Sequence, residues 1–196
     1  MLAVAGGKGG CGKTTTTLGM ASALARQRKP SLAVDTDREM PNLHAMAGVS
    51  RRPGLDAVGA GWPPELVAGS PTEDGVPPDV GVLPAASGPL NADRNARPSA
   101  PAFAHLASAP GAVLLDTPAG AGPGAVAPLR VADAALVVTT PEPACLRDAA
   151  KTAAMAREVG TPVAGAVVGG GGGGGGGAPP PPPHDRFRTV GPREKK

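Results

Sequence analysis

Ten residues near the start of the chain carry the densest chemistry: Gly6-Gly7-Lys8-Gly9-Gly10-Cys11-Gly12-Lys13-Thr14-Thr15. They fit the phosphate-loop spacing G-x-x-x-x-G-K-[ST], read as Gly7, four residues, then Gly12-Lys13-Thr14. Glycines at Gly7, Gly9, Gly10 and Gly12 let the backbone turn its N–H groups inward, where they can cradle phosphate oxygens. Cys11 fills a variable position of that cradle, and Thr15 closes it. Lys13 would reach the outer phosphates of a nucleotide, and the Thr14 hydroxyl would ligate magnesium. An apolar run, Leu2 to Ala5, precedes the loop and a helical pattern, Thr15 to Arg28, follows it. That is the strand–loop–helix setting in which the motif has meaning, with the helix start adding unsatisfied donors and a positive dipole end.

Carboxylates follow at two strand ends. Asp35 and Asp37 alternate after the strand Ser31 to Val34, at the edge where open α/β sheets bind ligands. Ala112 to Leu115 is an apolar run that ends in Asp116. Asp116 would hold magnesium, through a water.

The second lysine narrows the class. K-G-G-x-G-K-T-T, with Lys8 five residues before Lys13, resembles the deviant Walker A loop of the MinD/ParA family of ATPases. Asp35-Thr36-Asp37 with Asn42-Leu43 resembles the switch I segment of that family, and Asp116-Thr117-Pro118-Ala119-Gly120 its switch II. The resemblance implies ATP and Mg2+ as ligands and a homodimer in the ATP state. Lys8 would reach the partner's phosphates, a second cation for the charge that spreads on phosphoryl transfer. Asp37 matches the position that orients water or acts as base, and Asp35 would support the magnesium shell or the loop. Gly120 would turn its N–H toward the γ-phosphate. The helix from Cys145 carries Arg147-Asp148, and Asp148 is a candidate contact for a protein activator or cargo, or else a plain solvated charge. The family works as a switch that positions cell-division or chromosome-partition machinery. A nucleotide-binding scaffold with little turnover is the alternative.

The elements that must position these groups read as α/β, a doubly wound, mainly parallel sheet of the P-loop NTPase fold. Further strands are expected at Val80 to Leu83, Ala134 to Val138 and Pro162 to Val168, and helices at Ala102 to Ala107, Val126 to Val131 and Cys145 to Val159. Residues 44 to 78 are punctuated by Pro and Gly and read as largely irregular, with a helical turn at Glu65 to Ala68. The stretch from Ser87 to Pro101 also reads as irregular. Trp62, the one Trp, is expected to pack over a loop rather than to anchor a partner. His44 and His105 have no ligand cluster around them and read as surface or second-layer residues.

Hydrophobic content is 41% but aromatic content only 2%, so the core must be built from Ala, Val and Leu. The formal charge of +3 lies wholly in the tail: five basic and two acidic residues follow His184, while the body is balanced. Composition therefore gives no support for DNA binding. Cys11 and Cys145 form no C-x-x-C pair, which suits a reducing cytoplasm. No leader is read at the N-terminus, and no apolar run has the length of a membrane span. Peripheral membrane association stays open, because no amphipathic targeting helix is present. The expected domains are an ATPase domain over 1–168 and a Gly/Pro linker with a basic tail over 169–196, without a packed face. Against the family pattern the C-terminus reads as truncated, and the expected adenine-reading segment is replaced by the glycine run.

Overall fold

A computed structural model describes residues 1–85, 100–169 and 187–190. Strands β1 (Leu2–Ala5), β2 (Ser31–Asp35), β3 (Val80–Leu83), β4 (Ala112–Asp116), β5 (Ala134–Thr139), β6 (Val163–Gly169) and β7 (Phe187–Val190) form one sheet in the order β3-β2-β4-β1-β5-β6-β7. The first six are parallel. The order reverses around β1, which puts the loop after β1 at the switch point of a doubly wound sheet.

Side-chain alternation sorts the core onto two faces. Leu32, Val34, Val113 and Leu115 point to one side, under helices α3 (Leu55–Gly59), α4 (Pro64–Val67) and α5 (Ala100–Ala107). Ala33, Leu114, Val80 and Val82 point to the other, under α1 (Lys13–Arg26) and α2 (Leu43–Met46). On β1 the same split places Ala3 and Ala5 against α6 (Pro123–Val131) and α7 (Pro143–Glu158), and Val4 on the α1 side. The largest fully buried side chains are all Leu or Val, as the low aromatic content required.

Three places depart from the expectations. In the region from 44 to 78 the helical turn expected at Glu65 to Ala68 is met by α4, but α3 stands where no helix was expected, and it buries Leu55 and Val58 completely or nearly so. At five residues between Gly54 and Gly61 it is too short to show a helical period. Trp62 is 57% exposed rather than packed. In the tail, β7 pairs antiparallel with β6, Gly169 opposite Phe187 and Ala166 opposite Val190. Phe-Arg-Thr-Val has strand propensity, and the outer edge of β6 offers it backbone partners. The expectation for Ser87 to Pro101 lies outside the described residues up to 99, and Ala100 and Pro101 begin α5. Among the described residues no helix is long and apolar enough to cross a membrane.

Candidate functional site

The loop between β1 and α1 carries the left-handed turns that its glycines permit. Gly10 has φ 77° and Gly12 φ 93°, and Gly12 is the residue that caps α1. No side chain caps that helix and no acid lies in its first turn, so its N-terminal donors remain for an anion. Space exists for one. A Cβ built on Gly9, Gly10 or Gly12 would meet nothing within 4 Å. These glycines line a cleft of about 610 Å³ together with Lys13, Thr14 and Thr15. The Lys13 Nζ donates to the Lys8 carbonyl at 3.4 Å, which holds the side chain across the loop. Lys8 itself is exposed.

Cys11 does not face the cleft. It is 7% exposed and packs beneath the loop on Val4, Leu136, Val138 and Val167. Its part in the cradle is confined to the backbone. Cys145 is likewise buried, and neither forms a disulfide.

Two buried carboxylates stand side by side at the strand ends, since β2 and β4 pair with Asp35 opposite Asp116. The Thr36 N–H and hydroxyl both donate to the Asp116 carbonyl, at 2.9 and 2.7 Å, and fix the two ends together. Asp116 Oδ2 lies 2.6 Å from the Thr14 hydroxyl, while Oδ1 is buried with no hydrogen-bond partner among the described residues. Burial pushes the Asp116 carboxyl up to about 6, against the pull of the Thr14 hydroxyl and the Lys13 cation. Burial pushes Asp35 higher, to about 7, with the Asp116 charge adding to it. Asp35 Oδ1 accepts the Asp37 N–H at 2.9 Å, and Oδ2 accepts those of Asn42 and Leu43 at 3.1 and 3.2 Å. Both Asp35 oxygens thus accept loop N–H groups.

Among the described residues no group of three or more His, Cys, Asp or Glu side chains could hold a metal by itself. Magnesium needs no such cage: one hydroxyl and one carboxylate suffice when phosphate and water complete an octahedron. Thr14 and Asp116, with the orphaned Oδ1, fit that pattern. His44 and His105 do not contribute; the His105 ring Nδ1 lies 3.0 Å from the Val58 carbonyl and ties α5 to α3.

Asp37 lines the cleft. Its Oδ1 accepts the Glu39 and Met40 N–H groups at 3.1 and 2.9 Å, so it also closes a turn. Gly120 has φ 90°, as its expected turn requires, but it does not line the cleft; Thr117 and Ala119 do. Gly120 instead borders a second hollow of about 170 Å³ with Gly7, Asp148 and Lys151. Gly7 lies against α7, where an added Cβ would be 2.6 Å from the Asp148 Cβ. Asp148 is half-buried and pairs with Lys151 at 3.3 Å, a contact of little energy at a surface. Sequence reasoning missed Met40, Pro41 and Met46 at the lip of the cleft, and the reach of the Asn42 side chain to Thr14. The Asn42-Leu43 pair, five residues after Asp37, was the available signal for Asn42.

Residues 2–169 match the model of the CobQ/CobB/MinD/ParA nucleotide binding domain. The septum site-determining protein MinD of Synechocystis is 34% identical over 152 residues, covering 76% of this chain and 56% of that protein. Among solved structures, the cell division ATPase MinD of Pyrococcus furiosus is 29% identical with a TM-score of 0.71, covering 85% of this chain and 70% of that one. The septum site-determining protein MinD of Pyrococcus horikoshii, solved with Mg-ADP, is 26% identical with a TM-score of 0.70, covering 85% and 68%. The chain spans 55–63% of the length of the Synechocystis protein and other curated relatives.

Proposed function

The chain belongs to the CobQ/CobB/MinD/ParA nucleotide-binding family, and from that premise we propose that it is an ATP-binding and ATP-hydrolysing switch that pairs with a second copy of itself. Its output is the positioning of cell-division or chromosome-partition machinery through a protein activator or cargo. The observation that carries this reading is the division between the two lysines: Lys13 lines the cleft, whereas Lys8, in the same loop, is exposed. In this reading Lys13 would hold a triphosphate of its own copy, and Lys8 would serve a facing copy.

Each residue then has a physical task. The glycine N–H groups and Lys13 bind and orient the phosphates, and Thr14 with Asp116 holds the metal. Magnesium, when bound, neutralises charge on the outer phosphates. Asp37 orients the attacking water, and Lys8 stabilises the charge that develops on phosphoryl transfer. The site would act in the cytoplasm, with peripheral membrane association depending on the partner.

The test compares purified wild type with Lys13→Ala, Lys8→Ala and Asp37→Ala. Lys13→Ala should lose ATP binding. Lys8→Ala should bind ATP but lose the ATP-dependent dimer in sedimentation, and with it turnover. Asp37→Ala should bind and pair yet not hydrolyse. Equal background turnover in wild type, Lys8→Ala and Asp37→Ala would favour a nucleotide-binding scaffold instead.

A further inference from the structure

Asn42 stands immediately before α2, where an Asn ordinarily folds back to cap the helix. Here it makes no side-chain cap bond. Its amide instead crosses to α1, and its oxygen position lies 3.0 Å from the Thr14 hydroxyl. That hydroxyl has a single proton, and Asp116 Oδ2, at 2.6 Å against 3.0 Å for Asn42, is the better placed to accept it. The Asn42 contact must then run the other way. With its amide turned, an exchange that heavy-atom positions alone do not decide, Nδ2 donates to Thr14 Oγ1. Oγ1 keeps one lone pair, which is what a divalent cation requires.

The backbone side of Asn42 is fastened as well. Its N–H and that of Leu43 donate to Asp35 Oδ2, and Asp35 Oδ1 accepts the N–H of Asp37. Asn42 therefore joins Thr14 to the same carboxylate that holds Asp37. Among the described residues no other hydrogen bond links loop 36–42 to α1.

We infer that Asn42 is a positioning residue: its amide ties loop 36–42 to Thr14, so that metal loading at Thr14 and ordering of the Asp37 segment are one event. The coupling to metal rests on the nucleotide-switch reading above; the tie itself does not.

Hydrogen–deuterium exchange on the full chain tests both. The proteins are wild type, Asn42→Ala and the near-isosteric Asn42→Asp, which lacks the donor and keeps the shape. In EDTA, both variants should exchange residues 37–47 roughly three- to tenfold faster than wild type, the loss of one net hydrogen bond. Unchanged exchange there overturns the tie, whether or not the protein binds nucleotide. In Mg·ADP, wild type should gain protection over 37–43. Asn42→Ala should still bind ADP in calorimetry but gain none. Full protection in Asn42→Ala, or an Asn42→Asp protein that behaves as wild type, overturns the coupling, since the latter would make the amide oxygen the working atom. Wild type that binds no ADP refutes the switch reading and leaves the EDTA comparison standing.

Discussion

Two glycines of the phosphate loop should fail in opposite ways when replaced by Ala. At Gly7 an added Cβ would lie 2.6 Å from the Asp148 Cβ and 2.8 Å from its carbonyl oxygen. Ordinary contact begins nearly an ångström further out, and the obstacle is helix backbone. That helix cannot easily retreat, because α7 is anchored by buried Cys145, Ala149, Thr152 and Ala156. Overpacking of this kind costs about 1–3 kcal/mol, which for a domain of this size lowers Tm by about 2–12 °C. Gly9 differs in each respect. Its φ is not left-handed and nothing lies within 4 Å, so Ala fits the backbone and should stabilise by about 0.4–1 kcal/mol through the unfolded chain. The same methyl intrudes on the cleft, and loss of about 1.4 kcal/mol of phosphate contact is a tenfold weaker Kd. Thermal melts and calorimetry with Mg·ADP read the two effects separately. Gly7→Ala should melt early. Gly9→Ala should melt at or above wild type and bind ADP at least about tenfold more weakly. A Gly9→Ala protein with wild-type affinity would refute the placement of phosphate over that glycine, and an unshifted Tm for Gly7→Ala would refute the packing against α7.

Asp35→Ala removes the acceptor of three loop N–H groups, of which that of Leu43 is fully buried. A loss of about 1–3 kcal/mol is expected, with faster exchange at residues 37–43; wild-type exchange there would contradict the anchoring role. Because burial raises the Asp35 and Asp116 carboxyls to about 7 and about 6, the folded protein holds protons that the unfolded chain releases from about pH 4 upward. Their contribution to stability is thus favourable at low pH and declines as pH rises toward 7. Melts in EDTA should show this decline, Mg·ADP should stabilise more at pH 7.5 than at pH 5.5, and an Asp35→Asn protein with an unchanged pH slope would speak against it. Trp62→Ala, at a side chain 57% exposed, should shift Tm by no more than about 2 °C; a larger fall would mean that Trp62 packs after all.

The parts of this molecule that were legible in the sequence are those whose cause is local. Leu2–Ala5, Ala112–Asp116 and Ala134–Thr139 are near-continuous apolar runs because the strands are covered on both faces. The loop was legible because only glycine tolerates the turns at Gly10 and Gly12. What escaped depends on where the chain goes next. Nothing in the letters says that Cys11 turns under the loop into the sheet, that Gly7 meets α7, or that Gly120 faces the smaller hollow and leaves Thr117 and Ala119 on the cleft. Each is a contact between segments more than a hundred residues apart, or a choice of side at one residue.

Asp35 and Asp116 show how the two kinds of information combine. Sequence places an acid at the end of each strand, and only the pairing of β2 with β4 makes them neighbours. As neighbours they oppose folding, since both are buried and each raises the cost of charging the other. Asp35 is partly compensated by three backbone donors, whereas Asp116 keeps one oxygen with no partner among the described residues. A fold under no other demand would replace that oxygen by an apolar group. Its position beside the Thr14 hydroxyl is a physical reason to look for a cation there, and that reason holds independently of any likeness to other proteins.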